Sequence, residues 1–420
     1  MKKQSEKTFL WYIAFWGLAA LLFLSPFFRG LFFASNQYIA LIFMTMVFWL
    51  VWFWKCFQDR DRFLGKPLDY AILALPLVYL VSAFNAANIG TAINEVVKNT
   101  LYFILFWSVS RFVTDKESAT RLMTVIYIAA AGVAVAGLLT ATGLITIKDG
   151  FLNGRIYSSL QYPNALASYL VAALYIGLYL WQKCPGRTAP YLYSAGTYII
   201  SVVLVGTKSN GGFLVLALTM AVYFILVKGP ERLKLLSHLL TVFVPAAAAA
   251  FFFVRFVLQN TAVTAWLILL AGALLVLSLQ YLIGVISSRG MWDALWKRKT
   301  LLALGAAAFI LIGGLCVYSY VGSHQEMVGK ALAEFRLRNA TERFYFYSDA
   351  FKMVKEHPLT GWGGGGWAEA YQAYQGYLYS STQVHSYYLQ LLVETGVAGL
   401  LVVLAIGVLF LRLLYALYRK

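Results

Sequence analysis

Apolar runs recur along almost the whole of this 420-residue chain, each close to the length at which a helix crosses a lipid bilayer. A spanning helix needs about 20 mostly apolar residues at ~1.5 Å each. Runs of that kind fall near 9–28, 35–54, 68–84, 94–112, 120–143, 164–182, 190–206, 211–227, 236–258, 262–286, 300–321 and 396–415, about twelve in all on that length criterion. The residues are 61% hydrophobic and 12% charged, far more apolar than a soluble domain of this size requires. The chain therefore reads as an all-α polytopic membrane protein.

The formal charge of +17 does not point to nucleic acid. Lys and Arg sit in short clusters between the apolar runs, where they set topology and form no soluble basic face. Clusters such as Lys55/Arg60/Arg62/Lys66 and Arg289/Lys297/Arg298/Lys299 alternate with short loops holding little more than Arg29, Lys98, Lys148, Arg155, Lys208 or Arg255. Since cytoplasmic loops carry the basic excess, both termini are expected in the cytoplasm. The N-terminal run lacks a small-residue cleavage site and is followed by Phe27-Phe28-Arg29, so it is read as an uncleaved first span. Cys56, Cys184 and Cys316 are scattered, without the spacing of a disulfide framework or a zinc site, and no metal or cofactor is expected.

Three regions follow: 1–321 with eleven spans, a long outer segment over 322–395, and 396–420 with the last span and a cytoplasmic tail. A loop of that length is functional or disordered, and its Tyr, Trp and Gly content argues for order. Asn339 and Glu342 have the spacing of a capping box, so a helix is expected over about 340–357, ended by Pro358. On it Arg343, Phe346, Tyr347, Ala350, Met353, Val354 and His357 share one face, with Glu342, Tyr345, Asp349, Lys352 and Glu356 mostly opposite. Arg343 thus falls on the packed side, either as a snorkelling cation, as an ion pair with Asp349 or Glu342, or as a functional charge. The run Gly361-Trp-Gly363-Gly364-Gly365-Gly366 offers backbone N–H groups that can cradle a phosphate oxygen, and equally a tight turn between two elements. From His385 to Tyr415 the chain is too long for one perpendicular span, so a break is expected near Gly396.

Two further loops carry cations against the positive-inside trend: Leu152-Asn-Gly-Arg155 with Tyr162-Pro-Asn-Ala165, and Gly206-Thr-Lys208-Ser-Asn210-Gly-Gly212. Orientation does not explain them, and ionisable residues in such places are functional candidates. Gathered with Arg343, Arg336 and Arg338, they would form an outward-facing site for a dianion such as a lipid pyrophosphate.

Arg343 with its aromatic helix, His357-Pro-Leu-Thr-Gly361-Trp-Gly363, His385-Ser-Tyr-Tyr-Leu-Gln-Leu-Leu-Val-Glu394-Thr-Gly396 and Gly399-Leu400 together resemble the signature of the O-antigen ligase and Wzy polymerase superfamily. Gly154-Arg155 with Tyr162-Pro-Asn-Ala165 resembles the upstream element of the same family. The resemblance implies a GT-C type membrane glycosyltransferase with one large outer loop before its last helix, in the bacterial cytoplasmic membrane. Such an enzyme, metal-independent, moves a glycan from undecaprenyl pyrophosphate to an acceptor hydroxyl on the outer face, the acceptor being a glycan, a lipid core or a protein. It further implies that Arg343 binds pyrophosphate and that His385 acts at the reacting centre as base or as a pyrophosphate contact. Arg155, Lys208, Asn210, Arg336, Arg338, Gly363, Gly364 and Glu394 are the expected substrate-binding residues, and Glu394 is the second-ranked base. Where the family often carries Thr-x-Ser-Arg-Gly, this chain has Thr207-Lys-Ser-Asn210-Gly211, so Lys208 stands in only in part for the arginine. A polymerase of the same superfamily and a lipid-linked sugar flippase are the competing functions.

Overall fold

The computed structural model describes residues 9–184, 186–298 and 342–419. Its helices, in chain order, are α1 (Phe9–Leu24), α2 (Ala34–Trp52), α3 (Pro67–Ser82), α4 (Ile89–Phe112), α5 (Lys116–Ala141), α6 (Pro163–Lys183), α7 (Ala189–Gly206), α8 (Asn210–Leu226), α9 (Pro230–Leu258), α10 (Ala262–Ser288) and α11 (Met291–Lys297). They are followed by α12 over 342–356, α13 (Gly366–Ala370) and α14 (Tyr387–Tyr418). Among the described residues one hairpin pairs β1 (Phe151–Leu152) with β2 (Arg155–Ile156). Among the described residues nine helical stretches are long and apolar enough to cross a membrane, which makes the protein an all-α polytopic membrane protein. Helix α8 is shorter than those nine, and α4 carries Glu95, Lys98 and Arg111 along its length. The expected span at 300–321 and the proposed cap Asn339 lie outside the described residues.

The chain divides into two compact units. The first comprises the described parts of Met1–Leu18, Phe33–Phe112 and Leu311–Lys420. In it α2, α3 and α4 pack side by side and α14 lies along α3. One end is braced by a buried ion pair, Arg111 Nη2 to Asp69 Oδ2 at 2.8 Å, while the same guanidinium and the Trp107 indole both donate to the Phe63 carbonyl. In an apolar surround such a pair is kept only if its remaining hydrogen-bond capacity is filled, as it is here by the N–H groups of Gly65 and Lys66 on Asp69. At the other end α12, α13 and the start of α14 close over Phe346, Ala350, Met353, Trp367, Tyr371, Val384 and Val393.

The second unit comprises Ala19–Phe32 and the described parts of Val113–Ile310. Its centre is the bundle of α5, α6, α7, α9 and α10. Lipid supplies no hydrophobic drive between helices, so close packing at small residues has to hold them. Tyr127 on α5 shows how: its ring occupies the space a Cβ would need at both Gly177 and Gly196, and its hydroxyl donates to the Tyr193 carbonyl at 2.8 Å.

Helix α12 ends at residue 356, just ahead of Pro358, and buries Phe346, Ala350 and Met353. Asp349 departs from the expectation of an open face, being 1% exposed. The strand-less stretch after α13 folds back over it: Tyr379 Oη donates to Asp349 Oδ2 at 2.8 Å, Gly376 N at 3.2 Å, and Lys352 Nζ to Oδ1 at 2.7 Å. Helix α14 is broken, as expected, at Gly396 (φ 64, ψ −163). The break frees the Val397 N–H to reach the Pro358 carbonyl at 2.8 Å.

Candidate functional site

In the first unit His385 sits in a sharp turn between Val384 and the start of α14. Its backbone is left-handed (φ 59), a conformation that a residue with a β-carbon adopts only when its surroundings fix it. The Tyr347 hydroxyl donates to the His385 carbonyl at 3.4 Å, Ser381 Oγ lies 3.2 Å from its Nε2, and the Phe346 ring flanks it at 5.5 Å. Arg343, exposed on the first described turn of α12, acts on the imidazole through its charge. Desolvation is the larger cause and Arg343 the second in holding the His385 pKa below its ordinary value, with Glu342 opposing them. The imidazole thus stays neutral, and able to accept a proton, further into the acidic range than a free histidine. Helix α12 and the His385 turn bring together the two residues expected at the reacting centre.

The glycine run does something other than cradle an outside ligand. Gly363 and Gly364 are buried where the loop crosses the α3–α4 turn; an added Cβ would lie 2.3 Å from Ala86 Cβ and 2.4 Å from Glu95 Cβ respectively. The loop is pinned on both sides, by Ala87 N to Trp362 O at 2.9 Å and Trp362 N to Val393 O at 2.8 Å. One of its amides does hold a carboxyl oxygen, but an internal one: Gly365 N donates to Glu394 Oε1 at 3.1 Å. Glu394 is 4% exposed and also accepts from Tyr79 Oη at 2.9 Å and Gln390 Nε2 at 2.7 Å. Gln390 in turn accepts the Val384 N–H at 2.9 Å. Gln390, Ser381 and Tyr347 escaped the sequence reading. The one available signal was a lone glutamine in the apolar run Leu389–Val393, a polar group that needs a buried partner.

In the second unit Arg155 and Lys208 are brought together. The β1–β2 hairpin turns on Asn153 (φ 52) and Gly154 (φ 67), the paired left-handed residues of a two-residue hairpin. The turn carries Arg155 to the end of α7, where its Nε donates to the Thr207 carbonyl at 2.9 Å, and Gly154 faces Lys208 Nζ. Asn210 opens α8, which Ser209 caps by accepting the Gly212 N–H at 3.2 Å. Ser209 Oγ donates to Asn164 Oδ1 at 2.7 Å, so the Pro163-Asn164 element and the Thr207–Gly212 turn form one cluster. A Cβ on Gly211 would meet open space. Two cations and a helix N-terminus thus converge, a combination suited to an anionic group. Arg336 and Arg338 lie outside the described residues. Among the described residues no group of three or more His, Cys, Asp or Glu is placed to hold a metal.

The fold is that of a polytopic helical membrane protein. Residues 256–404 match the O-antigen ligase family model, a stretch that includes Arg343, the glycine run, His385 and Glu394. The match supports the chain's membership of the O-antigen ligase and Wzy polymerase superfamily, whose members are glycosyltransferase- or ligase-type enzymes. Arg155 and Lys208 precede the matched segment. No curated protein and no solved structure matches the chain.

Proposed function

We propose that the protein is a membrane glycosyltransferase of the O-antigen ligase type. It takes a glycan from undecaprenyl, or another polyprenyl, pyrophosphate and transfers it to an acceptor hydroxyl at the outer face of the cytoplasmic membrane, with both termini in the cytoplasm. The observation that supports this reading is the His385 turn, with Ser381 Oγ 3.2 Å from its Nε2 and the Arg343 charge acting on its ring, His385 and Arg343 both inside the segment that matches the ligase family.

The chemistry asks for those two groups. The donor brings its own leaving group, so the protein must orient the acceptor hydroxyl and stabilise the charge that develops as the pyrophosphate departs. His385 takes the hydroxyl proton while the acceptor oxygen bonds to the anomeric carbon. The bond from that carbon to the pyrophosphate oxygen breaks with its electron pair, and Arg343 receives the new negative charge. Arg155 and Lys208 are retained as binding cations for the donor, each tested by its own substitution. Exposed aromatic rings on the same cap, Phe344, Tyr377 and Tyr387, suit the apolar faces of sugar rings.

Purified protein in proteoliposomes, given a lipid-linked oligosaccharide with and without acceptors, tests the proposal. A single transfer product identifies a ligase and a ladder a polymerase; translocation without transfer would identify a flippase and overturn the reading. His385→Ala and Arg343→Ala should each abolish transfer in folded protein, and near-normal turnover in both would remove the site assignment. Transfer should persist in EDTA.

A further inference from the structure

We infer that Gln390 is a positioning residue for His385: its amide ties the backbone of the His385 turn, at the Val384 N–H, to the buried carboxyl group of Glu394. The inference rests on the glycosyltransferase reading for its kinetic consequence but not for its geometry.

The two ends of the amide are fixed by their partners. Nε2 donates to Glu394 Oε1 at 2.7 Å, and Oε1 accepts the Val384 N–H at 2.9 Å. A flipped amide would face donor to donor and acceptor to acceptor, so only one orientation is allowed. A side chain of this length must both donate and accept to fill the place; glutamate in its charged form only accepts, lysine only donates, and methionine does neither. Gln390 lies on the first turns of α14, its own N–H bonded to the Ser386 carbonyl at 2.8 Å, so its base is rigid. The far end is rigid as well, because Glu394 is held by three donors from three places in the chain: Tyr79 on α3, Gly365 in the glycine run and Gln390 itself.

The strut matters because of what it holds. Val384 is fully buried and the residue after it is the left-handed His385. That turn is fastened at three points, Val384 N by Gln390, His385 O by Tyr347 and His385 Nε2 by Ser381. The Gln390 tie leads on to the buried Glu394, and the Ser381 tie leads to Trp367, whose indole N–H donates to the Ser381 carbonyl at 3.0 Å. Glu394, 4% exposed and held by three donors, is the buried anchor of the Gln390 strut.

The test uses the full-length protein with Gln390→Met, which keeps size and removes both hydrogen bonds. Gln390→Glu, which keeps the acceptor for the Val384 N–H but puts an oxygen where Nε2 donates to Glu394, is the second variant should the first fail to fold. Two readouts are taken: kcat and KM for glycan transfer, and the rate at which diethyl pyrocarbonate modifies His385, resolved by peptide mass spectrometry. The expected result is a kcat about 100-fold lower, the size of an ångström-scale misplacement of a reacting group. The KM values should stay within about 2-fold, as fits an interaction that acts only in the transition state. The His385 modification rate should change alongside. Wild-type kcat together with a wild-type modification rate in a folded variant would overturn the inference. If the unsubstituted protein shows no transfer at all, the functional reading fails, and the modification rate alone still decides the role of Gln390.

Discussion

At the residue scale the imidazole of His385 feels, besides its desolvation, two charges of opposite sign on adjacent positions. Arg343 disfavours the imidazolium and Glu342 favours it. Removing the cation should therefore raise the His385 pKa, and removing the carboxylate should lower it. In Arg343→Gln the pH at which diethyl pyrocarbonate modification of His385 is half-suppressed by protonation should move up, and in Glu342→Gln it should move down. Shifts in the same direction in both variants would show that the two charges do not act on this ring. The same sign fixes the activity profile: transfer by the unsubstituted protein falls as pH drops through the His385 pKa, because the base is then occupied. A rate that rises on acidification would exclude His385 as the base.

At the element scale the decisive positions are glycines where backbones touch. Gly396 combines a positive φ with a site where a Cβ would stand 2.4 Å from the Leu359 carbonyl carbon. Gly396→Ala should cost about 2–5 kcal/mol from strain and overpacking together, read as a lowered unfolding temperature in detergent. Gly407→Ala, on the same helix with nothing within 4 Å of the new methyl, should stay within about 1 kcal/mol of the parent. Much at this scale was legible in the sequence. The 3.6-residue period placed Phe346, Ala350 and Met353 on one face, Pro358 fixed the end of α12, and the excess length after His385 required the break at Gly396. What was not legible came from non-local contacts. Asp349 looked open because its partners Tyr379 and Gly376 arrive about a helix-loop later. The glycine run looked like an anion cradle because nothing local reveals that Glu394 brings the carboxyl oxygen. Helix α4 begins at Ile89, ahead of the apolar run expected over 94–112, because the Asn88 side chain accepts the Gly90 N–H and starts the helix there, a local bond that hydropathy does not register.

At the scale of the whole molecule the alternation of basic loops predicts an orientation that chemistry can check. Cys56 and Cys184 are free, partly exposed, and fall in segments assigned to the cytoplasm. A membrane-impermeant thiol reagent should leave both unlabelled in intact cells and label them after permeabilisation, whereas Lys208→Cys should react from outside. Labelling of Cys56 in intact cells would invert the topology and remove the outer-face site with it. The resemblance drawn from scattered motifs and the family match agree on the segment from Arg343 to Glu394. Arg155, Lys208 and Asn210 lie outside the matched segment; their cations were legible from charge placed against the positive-inside trend, and the two loops that carry them cluster within the second unit.

The first unit is discontinuous, and this bears on how the protein is made. Tyr79 and Ser82 on α3 bond to Glu394 across separations of 315 and 312 residues. At roughly 5–20 residues per second, translation takes about 15 seconds to a minute to deliver that partner. Throughout the interval α3 is already in the bilayer with two hydroxyls awaiting their acceptor, and the second unit has been inserted in between. The glycine loop and the His385 turn can lock only when the final helix arrives. The protein therefore acquires the end that carries the proposed site last, and any chain released early lacks it altogether.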